Sequence, residues 1–214
     1  MKVIISVGGR FHAFNLAEQL EKRGYLGCLI TSYPKFEVVK YGIPRNKIRS
    51  VLLKEVIQRS WSRLPSALKR VYNPQYLIHE IYDLLASRNV READLFVGWS
   101  SFSLYSLRRA KAMGMKTVID RGSSHIAFQN RILKEEYERF GIVPWPFQLP
   151  HPKIIEKEIK EYEEADAIAI SSSFVRETFL ENGVPEKKLI HVPYGVNLAQ
   201  FQKIPKTDKV LRII

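Results

Sequence analysis

Short apolar runs alternate with amphipathic stretches along this chain, and that alternation limits the folds open to it. Strands of a parallel sheet are covered on both faces and read as continuous apolar runs, while the crossovers between them are amphipathic helices. Strands are predicted over residues 2–7, 26–31, 47–51, 95–97, 116–120, 167–171 and 189–191. Helices are predicted over residues 11–23, 52–62, 74–87, 102–113, 127–140, 152–165 and 173–182. The pattern predicts an α/β fold with a Rossmann-like, doubly wound, mostly parallel sheet.

The last ten residues do not fit that pattern. Residues 205–209 have the composition of a linker, and residues 210–214 read as a further strand. That strand is either an edge strand of the same sheet or the first strand of another domain. We expect one Rossmann-like domain over residues 1–204, followed by a linker and the first strand of a missing domain over 205–214.

The charge and the cysteine count restrict the partners and the cellular location. The chain has 34 Lys and Arg against 22 Asp and Glu, a net charge of +12, which favours anionic partners. No helix-turn-helix, RNP or zinc pattern is present, so nucleic acid is not an expected partner. Cys28 is the single cysteine, which excludes an internal disulfide and suits a reducing compartment. The chain enters a strand at once, without a secretory signal, so a cytoplasmic location is expected.

A pair of glycines directly follows the first predicted strand and opens the first helix. Gly8 and Gly9 leave the backbone uncovered, next to a helix N-terminus that offers free N–H groups, so a phosphate or a sugar hydroxyl could approach closely. Arg10 and His12 follow in the same turn. No third glycine stands at the dinucleotide spacing, which argues against NAD. The alternative is a tight strand-to-helix turn without a ligand.

A second polar loop follows the fifth predicted strand. It contains Asp120, Arg121, Gly122, Ser123, Ser124 and His125. Because the carboxyl ends of parallel strands meet at one edge of the sheet, this loop is expected to lie near the glycine pair and to bind a ligand. The alternative is that Asp120 and Ser124 cap the next helix, with His125 on the surface.

The segment 45–72 is rich in basic residues. A shared helical face is predicted for Ile48, Leu52, Val56, Ile57 and Trp61. Lys54, Arg59 and Arg63 lie elsewhere on the helix. This is the profile of an interfacial helix on an anionic membrane, which would make the protein peripheral to the inner face of the membrane. A helix packed on the sheet with solvated lysines is the alternative.

The stretch from 161 to 201 carries the most specific motif. It resembles the signature of family 4 glycosyltransferases of the GT-B type, in which E-x-x-A-D-x-I-x-x-S-x-x-x-R leads into G-x-P-x-x-K-x-x-V-I-P-N-G-V-D-x-x-x-F. Matching positions are held by Ala165, Asp166, Ile168, Ser172, Arg176, Gly183, Pro185, Lys188, Pro193, Gly195, Val196 and Phe201. The sequence departs from the signature at Tyr194 and Asn197, where the family more often has Asn and Asp.

The resemblance implies a function as well as a fold. Such enzymes transfer a sugar from a nucleotide-sugar donor to a saccharide or lipid-linked acceptor, with retention and without a metal or other cofactor. It further implies that the glycine pair and a catalytic His125 approach the donor, that Ser172 and Arg176 contribute to the site, and that a C-terminal domain supplies most of the nucleotide site. The chain alone is then expected to be inactive. The rival interpretations are a non-catalytic α/β binding module and, less favoured, a nucleotide-sugar epimerase or dehydrogenase.

Overall fold

Seven parallel strands form one sheet in the computed structural model, which describes residues 1–65, 69, 72–145 and 148–196. The strands are β1 (Val3–Val7), β2 (Leu26–Thr31), β3 (Ile48–Ser50), β4 (Leu95–Trp99), β5 (Lys116–Arg121), β6 (Ala167–Ile170) and β7 (Leu189–His191). They lie in the order β3-β2-β1-β4-β5-β6-β7. The predicted doubly wound α/β fold is confirmed. The predicted linker and strand at 205–214 lie outside the described residues.

Eight helices connect the strands in the described ranges. They are α1 (Ala13–Lys22), α2 (Lys35–Val38), α3 (Leu53–Ser62), α4 (Gln75–Ser87), α5 (Leu104–Ala112), α6 (Ile126–Arg139), α7 (Pro152–Glu164) and α8 (Ser173–Glu181). All seven predicted helices are present, with ends within two residues of the prediction. The single-turn helix α2 was not predicted, because four residues are too short to show a helical period.

The sheet is covered by helices on both faces. On one face, Phe14 and Ala17 of α1 and Val38 of α2 pack against Ile5 and Leu29. On the other face, the largest buried side chains of the helices are Tyr82, Leu107, Tyr162 and Phe179, from α4, α5, α7 and α8. Strands that are buried on both faces explain why the sequence shows continuous apolar runs rather than strict alternation.

The strand order reverses direction between β1 and β4. Chain connections leave these two neighbouring strands toward opposite sides, which opens a crevice at their carboxyl ends, where ligands bind in folds of this kind. The loop after β1 carries the glycine pair, and the loop after β4 carries Phe102, whose ring packs against Gly8. The topology therefore places the predicted glycine loop at the crevice.

Candidate active site

The glycine pair is needed for space rather than for an unusual backbone. A Cβ atom on Gly8 would lie 2.3 Å from the ring of Phe102, and one on Gly9 would lie 3.0 Å from the ring of Phe11. Neither glycine has a positive φ; the positive φ in this loop, 41°, belongs to Phe11. Thr31 at the end of β2 donates a hydrogen bond to the Gly9 carbonyl, 2.9 Å long. The hydrogen bond from Thr31 thus fixes the loop to the end of β2, and there is no room for a side chain at Gly8.

His12 and Asp120 come together from the two predicted loops. The Nε2 atom of His12 lies 3.2 Å from Oδ2 of Asp120. The imidazole is held between Trp99 and Tyr194, with ring centroids 5.0 Å and 4.7 Å away. The other carboxylate oxygen of Asp120, Oδ1, is buried and has no hydrogen-bond partner among residues the structure describes. The result is an oriented histidine–carboxylate pair at the carboxyl edge of the sheet.

Gly122 makes room for the aromatic ring that covers this pair. A Cβ atom on Gly122 would lie only 1.6 Å from the Tyr194 hydroxyl oxygen, so any other residue would displace Tyr194. Burial and the nearby Asp120 carboxylate raise the pKa of Tyr194, while a hydrogen bond with Ser171 opposes that rise. Ser123, next along the loop, is exposed. Sequence reasoning noted Tyr194 only as a departure from the family motif.

Arg121 is engaged by the protein itself. Its guanidinium lies 3.0 Å from the Glu158 carboxylate, and it donates to the Ser124 carbonyl (3.0 Å) and to the Gln129 side chain (2.7 Å). Arg121 and Glu158 are both buried. Arg121 therefore ties the loop after β5 to α6 and α7.

His125 is buried and caps α6. Its Nδ1 accepts a hydrogen bond from the Ala127 amide, 3.2 Å long, and its own amide donates to Thr178. The ring packs against Tyr162 and Phe179. Burial, with a contribution from the charge of Arg121, lowers the pKa of His125 to about 4, so the ring is neutral. The alternative that placed His125 on the surface, with Ser124 or Asp120 as the cap, is wrong because the imidazole is itself the cap. Its catalytic role stays a prediction.

The remaining predicted site residues lie around this edge with partners of their own. Arg10 is exposed and donates to the Tyr41 hydroxyl over 3.1 Å. Ser172 caps α8 by accepting a hydrogen bond from the Val175 amide, 3.2 Å long. Arg176, one turn later, pairs with Glu177 of its own helix and with Glu186 before β7. The ion pairs of Arg176 thus involve neither loop of the site.

The helices α1 and α5 follow the two strands that flank the crevice, and their N-termini differ. The Glu161 carboxylate accepts hydrogen bonds from the amides of Ser101 (2.7 Å) and Ser103 (2.8 Å), and Asp83 accepts one from Tyr105 (2.9 Å). Buried acidic side chains therefore already occupy amide donors at the N-terminus of α5. The N-terminus of α1 has no side-chain cap and no acidic residue in its first turn. Its positive end is left open beside the glycine pair.

A cleft of about 900 Å³ opens from the glycine loop between α3 and α4. Its aromatic lining includes Phe11, Tyr33, Trp61, Phe102 and Trp145, and its polar lining includes Lys54, Glu55, Gln58, Gln75 and His79. Lys54 is 7% exposed and pairs with Glu55 at 3.0 Å. Of these residues, the sequence analysis had considered Lys54 and Trp61 only as parts of a helix that either lies on a membrane or packs on the sheet.

Helix α3 does not have the predicted apolar face. Ile48 belongs to β3 and is fully buried, whereas Trp61 lines the cleft. The exposed apolar residues are Leu52, Leu53 and Val56, at 45%, 47% and 58% exposure. The prediction failed because a strand, a turn and a helix were read as one helical period. Part of the predicted segment, residues 66–68, 70 and 71, lies outside the described residues. Within the described ranges, none of the helices combines the length and apolarity needed to span a membrane.

Comparisons with known proteins find similarity in structure alone. No family model matches the chain, and no curated protein matches its sequence. The fold is similar to the crystal structure of a UDP-N-acetylglucosamine 2-epimerase, with a TM-score of 0.54 and 11% identity over 89% of this chain and 47% of that one. It is also similar to TcCGT1 in complex with UDP, with a TM-score of 0.51 and 12% identity over 97% of this chain and 53% of that one.

A third similar structure is a UDP-glucosyltransferase from Polygonum tinctorium, with a TM-score of 0.48, 15% identity, and coverage of 91% of this chain and 52% of that one. The chain spans about half the length of the structures it matches. The first two of these structures are a UDP-N-acetylglucosamine 2-epimerase and a protein in complex with UDP. At such low identities, their likeness establishes only that the chain shares their Rossmann-like α/β fold.

Proposed function

We propose that this chain is the acceptor-side part of a GT-B glycosyltransferase, of the family 4 kind that its C-terminal motif resembles. It would take part in moving a sugar from a nucleotide-sugar donor to a saccharide or lipid-linked acceptor, for polysaccharide or glycolipid assembly. The observation that carries the proposal is the His12–Asp120 pair, 3.2 Å apart, at the edge of the sheet from which a cleft of about 900 Å³ opens. The UDP bound to the structural neighbour TcCGT1 supports a nucleotide-sugar donor.

The pair has the geometry of a general base and its orienting group. With the Nε2 proton donated to Asp120, the Nδ1 atom of His12 carries a free electron pair that accepts the proton of an acceptor hydroxyl. The hydroxyl oxygen attacks the anomeric carbon of the donor sugar, and the bond from that carbon to the diphosphate breaks. Asp120 stabilises the imidazolium that forms, and the nucleoside diphosphate leaves. A positioned base of this kind accelerates transfer by roughly 10²–10⁴-fold.

The stereochemical outcome separates two versions of the proposal. The family 4 resemblance implies retention of the anomeric configuration. A base that activates the nucleophile for a single displacement favours inversion, as in inverting glycoside hydrolysis. NMR decides between them, because the anomeric proton coupling shows whether the sugar has the same configuration in the product as in the donor.

The donor would be held mainly by a second domain. On this chain, the open N-terminus of α1 and the uncovered glycine loop suit the negative charge of the donor diphosphate. We propose that the 214-residue chain folds and binds acceptor but does not turn over by itself. A binding module that recruits a separate donor domain is the rival, since it would bind the same ligands without catalysis.

Helix α3 supports a membrane-associated acceptor. It turns apolar residues outward, with Leu53 and Val56 exposed, and encloses the charged Lys54. Arg59 and Arg63 are also exposed on this helix and at its end. We propose that this apolar and basic surface rests on anionic lipid at the cytoplasmic face of a membrane, where a lipid-linked acceptor would be found.

The test is the reaction itself. The product of the full reading frame is incubated with a panel of nucleotide sugars and with saccharide and lipid-linked acceptors, and products are identified by mass spectrometry. We expect a glycosylated acceptor and one nucleoside diphosphate per transfer. Hydrolysis or epimerisation of the nucleotide sugar without transfer would contradict the proposal, and binding without any reaction would favour the module.

A further inference from the structure

The backbone of Phe11 has a positive φ that the packing of its side chain does not explain. Its φ is 41°, one of two positive values found at non-glycine residues in the described part of the chain. A left-handed backbone is unfavourable at such a residue, because its Cβ atom comes too close to the following carbonyl oxygen. The side chain is nevertheless 61% exposed, so burial of the ring does not offset that cost. Strained residues of this kind cluster at ligand sites.

The ring of Phe11 stands at the entrance of the cleft. It lies over Gly9, where a Cβ atom would be 3.0 Å from its Cε2 atom, and it lines the cleft with Tyr33, Trp61 and Phe102. Phe11 also precedes His12, the proposed base. The stacking ring and the proposed base therefore belong to the same loop.

Two polar atoms in the cleft wall have no hydrogen-bond partner in the described part of the chain. Gln75 and His79 stand one turn apart on α4, and Oε1 of Gln75 and Nδ1 of His79 are enclosed without a hydrogen bond to any described residue. Burial, together with the charges of Lys157 and Lys54, lowers the pKa of His79 to about 3, so its ring is neutral. Unpaired buried polar atoms are costly, and rotation of the Gln75 amide toward a ligand hydroxyl would relieve the cost.

We infer that the cleft binds a neutral sugar ring of the acceptor, stacked on Phe11 and hydrogen-bonded through its hydroxyls to Gln75 and His79. The inference rests on the proposed function, because it names the acceptor class of that site. A pyranose has an apolar C–H face for the aromatic ring and hydroxyl groups for the two polar side chains. The charge of Lys54 is already balanced by Glu55, so Lys54 does not require an anionic group on the ligand.

The test is a binding measurement on the 214-residue chain without a donor. Methyl pyranosides, simple phenols and inorganic phosphate are titrated, with saturation-transfer NMR and the fluorescence of Trp61 and Trp145 as readouts. We expect pyranosides to bind in the cleft and phenols not to, and we expect phosphate bound at the open N-terminus of α1 to leave pyranoside binding unchanged. Binding of phenols or phosphate alone, or of no compound in the panel, would overturn the inference.

Substitutions at Phe11 separate a binding role from a structural one. Phe11→Gly removes the ring and relieves the positive φ, so we expect binding at least about tenfold weaker with an unchanged or higher Tm. Phe11→Trp should keep binding, since it keeps a stacking surface. Phe140→Ala is the control, because Phe140 is 67% exposed but lies outside the cleft lining. Wild-type affinity in Phe11→Gly would overturn the role of Phe11.

The polar contacts are tested with variants of similar volume. Gln75→Leu and His79→Phe should each weaken pyranoside binding while the chain stays folded, and unchanged affinity in both would overturn their assignment. These experiments need no donor and no turnover. A protein that binds pyranosides through Phe11 but transfers no sugar would refute the proposed function alone, and active transfer with unaltered binding in the variants would refute this inference alone.

Discussion

The His12 imidazole and the Asp120 carboxylate lie 3.2 Å apart although they are separated by 108 positions in the sequence. Their strands, β1 and β5, are not neighbours in the sheet, since β4 lies between them. The aromatic ring of Trp99, at the end of β4, fills that gap and packs against His12. The pair therefore depends on β1, β4 and β5, which are neighbours in the sheet, having their carboxyl ends at the same level.

The two glycines of the first loop should respond differently to substitution. Gly8→Ala should lower the free energy of unfolding by about 1–3 kcal/mol, because its Cβ would overlap the Phe102 ring at 2.3 Å. Gly9→Val should fold nearly normally, because its closest neighbour is the exposed ring of Phe11, but it should abolish transfer by blocking ligand approach. Thermal melts and kcat/KM measure the two effects.

Gly195→Ala is the matched control for both variants, since nothing lies within 4 Å of its Cβ position. It should be neutral in the thermal melts. If Gly9→Val retains the wild-type kcat/KM, the loop is a turn and not part of the site.

Stability should fall as the pH is lowered below about 6.5. Burial lowers the pKa of His79 to about 3 and that of His125 to about 4, so the unfolded chain binds more protons than the folded chain in this range. Acid therefore favours unfolding until the folded pKa values are reached. The substitution His125→Asn keeps a side-chain cap for α6 and removes one titrating group. It should reduce the pH slope of the free energy of unfolding by up to about 1.4 kcal/mol per unit.

Urea unfolding at several values between pH 7.5 and 5 measures that slope. Equal slopes in the variant and the wild type would show that folding does not lower the pKa of His125. The same variant tests its predicted catalytic role: a fall in kcat of the full-reading-frame protein at pH 7.5 would support that role, and an unchanged kcat would assign His125 to structure.

The surface of α3 should bind anionic vesicles in a salt-dependent manner. Val56→Ser should weaken sedimentation with anionic vesicles about tenfold, because it removes an apolar contact from a basic surface. Val143→Ser is the control, since Val143 is 86% exposed and lies outside α3. Equal binding to neutral and anionic vesicles, or equal loss in both variants, would contradict the assignment of this surface.

The sheet was predictable from the sequence because strands such as β1 and β2 are buried on both faces, and because glycines mark the ends of several helices. Gly24, Gly114 and Gly183 follow helices with φ of 74°, 77° and 79°, values that favour glycine, so the helix ends could be placed. Helix α3 was predictable in its bounds but not in its orientation. It encloses Lys54 and exposes Val56, the reverse of what hydrophobic burial alone predicts.

The site was predictable as two loops but not as a geometry. Parallel topology indicated that the loops after β1 and β5 share an edge, yet only the packing shows that Asp120 reaches His12 and that His125 turns into the core instead. Phe11 was not predicted as a site residue, because the two features that single it out, a positive φ and an exposed ring, are visible only in the structure. The sequence identified Tyr194 only as a departure from the family motif, and it did not indicate that Tyr194 packs against Gly122.

The most direct test of the account is the effect of Asp120→Asn and His12→Gln on sugar transfer by the product of the full reading frame. Each variant should lower kcat by roughly 10²-fold or more, and the double variant should be little worse than either, because the two residues act as a unit. Acceptor affinity and Tm should stay close to those of the wild type. Transfer at the wild-type rate in Asp120→Asn would contradict the claim that this pair is the catalytic base.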